Sequence, residues 1–331
     1  MKITSKRRSV LRKNMILAFI ISCNFLSGCG QAQYDMPYEI KSDISSYRLV
    51  NTEESKTAVS FAADLCVVSD NIMPDDVDMS KASGAGLFDI NGKETIYAKN
   101  VHEKLYPASL TKVMTALVAL KYGSVDMVLT ASSNVTNLES GAQTCGLKAG
   151  DQMTLAQALH VLLINSANDA AVMIAEGVAG SVDEFANLMN EEAISIGATN
   201  THFVNPHGLS DDNHYTTVYD MYLIMNEAVK YDMFNEIIRM TEYSTVYADK
   251  NGAEKELSVK NTNHYLLGQA QAPSGVTVLG GKTGTTNAAG HCLLLLSKDT
   301  SGNPYISVIL RADSRDDLYI QMSELLGEID N

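Results

Sequence analysis

Strand-like runs at both ends of the chain enclose a helical middle, and that order restricts the fold more than any single motif. Near the front, "GAGLFDINGKETIYAKN" reads as a hairpin, with Gly86–Ile90 and Thr95–Ala98 flanking a turn at Asn91-Gly92. The middle carries helical patterns at Ser109–Lys121, Leu155–Leu163, Asp169–Val178, Val182–Ser195 and Tyr219–Tyr231, several closed by Gly or Asn. From Val276 the pattern returns to strands in "VTVLGGKTG", "GHCLLLLSKD" and "YISVILRA", with the turn-forming "DTSGNP" between the last two. An amphipathic helix, "RDDLYIQMSELLGEI", follows. This order predicts one α+β domain whose antiparallel sheet is completed by both ends of the chain.

At 331 residues and 45% hydrophobic, the chain has ample material for a core. It holds 25 Lys and Arg against 39 Asp and Glu. Lys2, Lys6, Arg7, Arg8, Arg12 and Lys13 all fall in residues 1–28, which contain no acid, so the remainder is more acidic still. Such a surface offers no basic patch to nucleic acid.

The basic run leads into a short apolar segment, "MILAFIISCNFL", Met15 to Leu26, and residues 1–28 read as a signal peptide. The segment is too short, and too soon polar, for a transmembrane span. The junction "LSGC", Leu26–Cys29, resembles the lipobox of bacterial lipoproteins, in which the cysteine is acylated and becomes the new N-terminus. An ordinary cleavable signal with an incidental cysteine is the alternative. Lipidation at Cys29 would make the protein an extracytoplasmic membrane lipoprotein facing the cell wall, held stably by two or more acyl chains. Residues 29–57 then read as a flexible acidic spacer and 58–331 as the folded domain.

Cys66, Cys145 and Cys292 are odd in number and widely spaced, so no disulfide framework is implied. A Cys66–Cys145 bridge is one possible pairing, while Cys292, in "GHCLLLL", reads as a small packed hydrophobe.

Three stretches carry candidate chemistry. In "YPASLTKVMTALVAL", Ser109 and Lys112 lie three apart at the start of an apolar helix and can meet on one face. The simpler account is a serine cap and a lysine reaching out to water. The chemical account is a lysine desolvated by apolar walls, able to take the serine's proton. In "INSANDAA", Ser166 and Asn168 interrupt two helical runs; Ser166 and Asp169 also fit a capping box, which leaves Asn168 unassigned. In "LGGKTGTTNAAGH", Lys282 ends a strand-like run among small residues. A glycine-rich hairpin with a solvated lysine would look similar, and the spacing departs from that of a phosphate-binding loop.

Ser109–Lys112, Ser166–Asn168 and Lys282–Gly284, in that order, resemble the motif set of penicillin-binding proteins and serine β-lactamases. The segments "LYPASLTKVMTALVAL", "GLKAGDQMTLAQALHVLLINSANDAA", "THFVNPHGL" and "GGKTGTTNAAGHCLLLL" are similar to low-molecular-mass D-alanyl-D-alanine carboxypeptidases, from about Gly84 onward. The resemblance implies the serine β-lactamase and DD-peptidase-like α+β fold, an antiparallel five-stranded sheet flanked by helices with an inserted, mostly helical subdomain. It implies removal of the terminal D-alanine from peptidoglycan stem peptides, β-lactams as covalent inhibitors, and neither cofactor nor metal. Roles follow by position: Ser109 nucleophile, Lys112 general base, Ser166 proton relay, Asn168 positioning, and Lys282 carboxylate binding and proton relay. Thr283, Gly284 and Thr285 bind substrate, with the backbone of Thr285 and Ser109 forming the oxyanion hole.

The sequence departs from the family pattern in three places. No second, β-rich domain or C-terminal amphipathic membrane helix is expected. Thr285 stands where relatives often have Tyr or His. Leu318 stands where an arginine is common, leaving Arg311 and Arg315 as alternatives for the substrate carboxylate. Rival functions are an endopeptidase acting on cross-links and a non-catalytic penicillin-binding wall sensor. A class A β-lactamase fits less well, because no E-x-x-L-N occurs between Asn168 and Lys282. The seven histidines do not form a spacing that reads as a metal site.

Overall fold

The computed structural model describes residues 62–74 and 77–329. The predicted signal peptide, Cys29 and the spacer to residue 57 lie outside these residues. In chain order come β1 (Ala82–Asp89) and β2 (Glu94–Lys99), then a 3-10 turn (Ala108–Leu110) that runs into α1 (Thr111–Tyr122). There follow β3 (Val128–Thr130), β4 (Gln152–Thr154), α2 (Leu155–Ile164), α3 (Asn168–Ala179), α4 (Val182–Ser195), α5 (Val218–Ala228) and α6 (Asp232–Ile238). The remaining elements are β5 (Glu242–Ala248), β6 (Glu254–Lys260), β7 (Thr277–Thr286), β8 (Gly290–Lys298), β9 (Pro304–Ala312) and α7 (Arg315–Gly327).

The expected α+β domain is present. Its main sheet is antiparallel and five-stranded, in the order β2-β1-β9-β8-β7. Pairs such as Ala85↔Ile309 and Gly86↔Val308 join the front of the chain to its end. Side chains alternate across the sheet. Leu294, Leu296, Ile306 and Val308 pack towards the helical body, whereas Leu293, Leu295 and Ile309 meet Leu318, Met322 and Leu325 of α7. With both faces covered, β8 and β9 need no polar side, so "CLLLL" reads as an unbroken apolar run.

Every residue of α1 from Thr111 to Ala119 is buried, so α1 runs through the core as its central rod. A helix without a polar face has nowhere else to go. Around it, side-chain caps start α2 (Thr154, with Gln157 completing a capping box), α4 (Ser181), α5 (Thr217) and α7 (Ser314).

Several local expectations change. The front turn is a four-residue loop, Ile90–Lys93, in which Lys93 takes the positive φ of 57°. The Asp89 side chain closes it by accepting the Gly92 N–H at 2.7 Å. The helix expected over Tyr219–Tyr231 ends at Ala228, and a further helix, α6, follows. A second sheet, β3-β4-β5-β6, is new. The Cys66–Cys145 bridge does not form: Cys66 is buried near Tyr222, Cys145 lies against Asp169, and all three described cysteines are free. Cys292 is fully buried in the core, as its apolar context predicts.

Candidate active site

A cleft of about 690 Å³ opens between β7 and the helical body. Ser109, Ser166, Asn168, Thr283, Gly284 and Thr285 all line it, while Lys112 and Lys282 are buried at 0% and 1% exposure. All eight residues singled out within the described chain therefore belong to one locality.

Ser109 sits in the 3-10 turn that feeds α1, and the N-cap position belongs to Pro107, with no side-chain capping bond. The simple cap is thus absent, and so is the lysine's escape to water. Lys112 Nζ lies 2.9 Å from Ser109 Oγ, 2.6 Å from Asn168 Oδ1 and 2.6 Å from the His207 carbonyl oxygen. Burial drives its pKa well below the usual lysine value; the Lys282 charge adds to this and Asp169 opposes it.

The capping-box alternative for Ser166 and Asp169 also gives way. Ala167 is the N-cap of α3 and makes no side-chain cap, while Ser166 holds a positive φ of 63°, rare for a residue with a Cβ. Asp169 instead accepts the backbone N–H groups of Cys145, Gly146 and Leu147 at 2.9 to 3.1 Å. It thereby ties down one end of the segment whose residues Glu139–Gln143 form a wall of the cleft. The Asn168 N–H donates to the Gln143 carbonyl at 2.8 Å, fixing the start of α3 against the same segment.

On the opposite wall, β7 is an edge strand of the main sheet. Lys282 Nζ donates to the Thr283 carbonyl at 2.9 Å, and burial alone lowers its pKa to about 7. Thr283 Oγ1 is 2.5 Å from Thr262 Oγ1, and Thr285 Oγ1 is 3.2 Å from His291 Nδ1. Gly284 is a glycine because of what faces it. A Cβ there would stand 3.0 Å from the Ser109 nitrogen and 3.1 Å from the Pro107 oxygen.

Some contributors were not visible in the sequence. The His207 carbonyl, Thr262 and the 139–143 wall carry no motif of their own; "THFVNPHGL" marked the His207 segment without giving it a part. Of the two arginines left open, Arg315 lines the cleft beside His264 and His291, and Arg311 is not among the lining residues. The Arg315 charge contributes to lowering the pKa of both histidines, after their burial. His291 lines the cleft, whereas His207 contributes through its backbone.

Comparison with known proteins covers the same stretch of chain. The family model for D-alanyl-D-alanine carboxypeptidase matches residues 50–314. A relative in Bacillus subtilis, D-alanyl-D-alanine carboxypeptidase DacF, is 32% identical over 252 residues, covering 74% of this chain and 61% of its own. A D-alanyl-D-alanine endopeptidase of Pseudomonas aeruginosa is 30% identical over 216 residues, covering 65% of this chain and 66% of its own. The crystal structure of a Streptomyces DD-transpeptidase superposes with a TM-score of 0.69 at 26% identity, covering 79% of this chain and 98% of that one. The chain spans about six-tenths of the length of the Bacillus relative. A match over this much of the sequence, on a fold shared with a DD-transpeptidase, makes the chain a member of the D-alanyl-D-alanine carboxypeptidase family.

Proposed function

We propose that the protein is a serine-type D-alanyl-D-alanine carboxypeptidase that removes the terminal D-alanine of peptidoglycan stem peptides through an acyl-enzyme on Ser109. The observation that carries this is the contact between Ser109 Oγ and the fully buried Lys112 amine at 2.9 Å. A buried, desolvated amine is a base at working pH, and a serine beside such a base is a nucleophile.

Lys112 takes the Ser109 hydroxyl proton as Oγ bonds to the carbonyl carbon of the penultimate D-alanine. Negative charge develops on the carbonyl oxygen, which rests against the backbone N–H groups of Ser109 and Thr285. The C–N bond then breaks, and the proton that Lys112 took passes through Ser166 to the departing amine, with Lys282 assisting the relay. Asn168 holds Lys112 in place, and Thr283, Lys282 and Arg315 bind the substrate's terminal carboxylate. Water hydrolyses the ester and frees Ser109. β-Lactams, which present an acyl group and a carboxylate in similar relation, acylate the same serine.

The test is to incubate the full chain with a stem pentapeptide and follow the product by mass. Loss of one alanine, abolished by Ser109→Ala, is the expected result. Stable penicillin labelling without alanine release would point to a binder. Cleavage of cross-linked dimers in preference to pentapeptide would point to an endopeptidase, the activity named for the Pseudomonas relative.

We also propose an extracytoplasmic location, with the protein anchored to the membrane by lipid on Cys29. The "LSGC" junction after a basic and apolar leader supports this. Cys29→Ala should release the protein or leave its leader uncleaved; unchanged mass and membrane association would count against the anchor.

A further inference from the structure

We propose that His214 and Thr111 form a buried relay that fixes the Ala108–Ser109 peptide, so that the Ser109 N–H faces the cleft as an oxyanion donor. Both are positioning residues, and the inference rests on acyl transfer at Ser109 as proposed above. Ala108, immediately before the nucleophile, has a φ of 48°, in the left-handed region that alanine rarely occupies. Such a conformation is strained and persists only where its surroundings hold it.

The hold is visible. The Ala108 carbonyl oxygen accepts the Thr111 hydroxyl at 2.8 Å, and the Thr111 N–H as well. A hydroxyl has one proton, so Thr111 Oγ1 must act as acceptor in its other contact, His214 Nε2 at 2.8 Å. Nε2 therefore carries the ring proton. The opposite nitrogen agrees, since Nδ1 accepts the Val204 N–H at 3.2 Å. The bonds run in one direction, from His214 Nε2–H to the Thr111 hydroxyl to the Ala108 carbonyl. His214 is 1% exposed, and burial lowers its pKa to about 4, with Asp211 opposing the shift and the His202 and Lys112 charges adding to it. The ring keeps this single neutral tautomer through the neutral pH range.

What the relay fixes follows from peptide geometry. In a trans peptide the C=O and the next N–H point in opposite directions. The Ala108 oxygen is turned into the body of the protein, towards Thr111 and against the Gly208 backbone, where a Cβ would come within 1.8 Å of it. The Ser109 N–H must then point the other way. β7 runs beside this nitrogen, since a Cβ on Gly284 would stand 3.0 Å from it, and Ser109 and Gly284 both line the cleft. Cutting the relay leaves the Ala108 carbonyl held by the Thr111 N–H alone, so that the strained peptide rotates and carries the donor out of the cleft.

Thr111→Val tests this, because it removes the hydroxyl at nearly constant volume. Acylation by a fluorescent penicillin gives the non-covalent dissociation constant and the acylation rate constant separately. A D-alanine-mimicking boronic acid, which forms a tetrahedral adduct with the serine, reports the oxyanion site directly. The expected result is an acylation rate constant and a boronate affinity each lower by about 100-fold, with non-covalent binding within about twofold of wild type. Thr111→Ser should restore both, and His214→Phe, which fills the space without a donor, should match Thr111→Val. A folded Thr111→Val protein that acylates at the wild-type rate overturns the relay. So does one that loses only thermal stability and non-covalent binding. If the wild-type protein is not acylated at all, acyl transfer itself fails and the relay falls with it, an outcome distinct from equal rates in wild type and variant.

Discussion

Lys112 Nζ stands 2.9 Å from Ser109 Oγ, and its two other close partners, Asn168 Oδ1 and the His207 carbonyl oxygen, can only accept. A neutral amine has two N–H groups and one lone pair. In that neutral form both N–H groups go to the two obligate acceptors, which leaves the lone pair facing the serine hydroxyl. Asn168 and the His207 carbonyl thus orient the amine as well as satisfying it.

Acylation should depend on pH through this amine. As the proposed base, Lys112 acts in its neutral form; burial is the main cause that lowers its pKa well below 10.5, with Lys282 adding to the shift and Asp169 opposing it. The rate constant should rise with pH through that lowered pKa and level off well short of pH 10.5. Lys112→Arg, which stays charged, should lower it by at least about 100-fold in a folded protein. A rate that titrates only near the ordinary lysine value would contradict a neutral base.

Lys282 should make stability depend on pH in the alkaline range. Its folded pKa is about 7 against 10.5 for an unburied lysine. Between those values the unfolded chain carries the proton and the folded chain does not, so stability rises with pH by about 1.4 kcal/mol per unit. It should be flat with respect to this group below about 7 and above 10.5. Lys282→Met should remove that slope. The measurement is the difference in unfolding free energy between wild type and Lys282→Met at several pH values; a difference independent of pH would show that Lys282 is charged in the folded state.

Gly284→Ala should separate β7 from the nucleophile turn. The added Cβ would press on the Ser109 nitrogen at 3.0 Å and the Pro107 oxygen at 3.1 Å, both backbone atoms with little room to yield. The expected outcome is a folded protein whose acylation rate is lower by about 100-fold, the usual consequence of shifting reacting groups by about 1 Å. An unchanged rate would mean that β7 moves freely relative to Ser109.

The parts of this architecture that were legible in the sequence are those written locally. α4 begins and ends where its pattern does, and the β8 and β9 runs declare strands buried on both faces. The second sheet was hidden because β3 and β4 are three residues each, and because "EKELSVK" turns only Leu257 and Val259 towards the core among charged and polar residues. Asp169 misled for a different reason. Its spacing from Ser166 fits a local cap, yet its carboxylate is committed to Cys145, Gly146 and Leu147, more than twenty residues back. Only the closed tertiary structure decides between those uses, and it likewise shows that Arg315, not Arg311, lines the cleft.

Arg315 should account for recognition of the substrate's free carboxylate. It opens α7 on the wall of the cleft with His264 and His291, while Leu318, where the family often has arginine, is buried at 3% exposure. A charge-assisted hydrogen bond contributes about 1.5–3 kcal/mol, less where solvent screens it, so Arg315→Ala should raise KM by about tenfold with kcat little changed. The loss should be confined to substrates ending in a carboxylate and vanish for the corresponding C-terminal amide. Arg311→Ala, outside the cleft lining, should leave both substrates unaffected. An Arg315→Ala variant equally impaired on acid and amide, or an Arg311→Ala variant selectively impaired on the acid, would move the carboxylate site elsewhere.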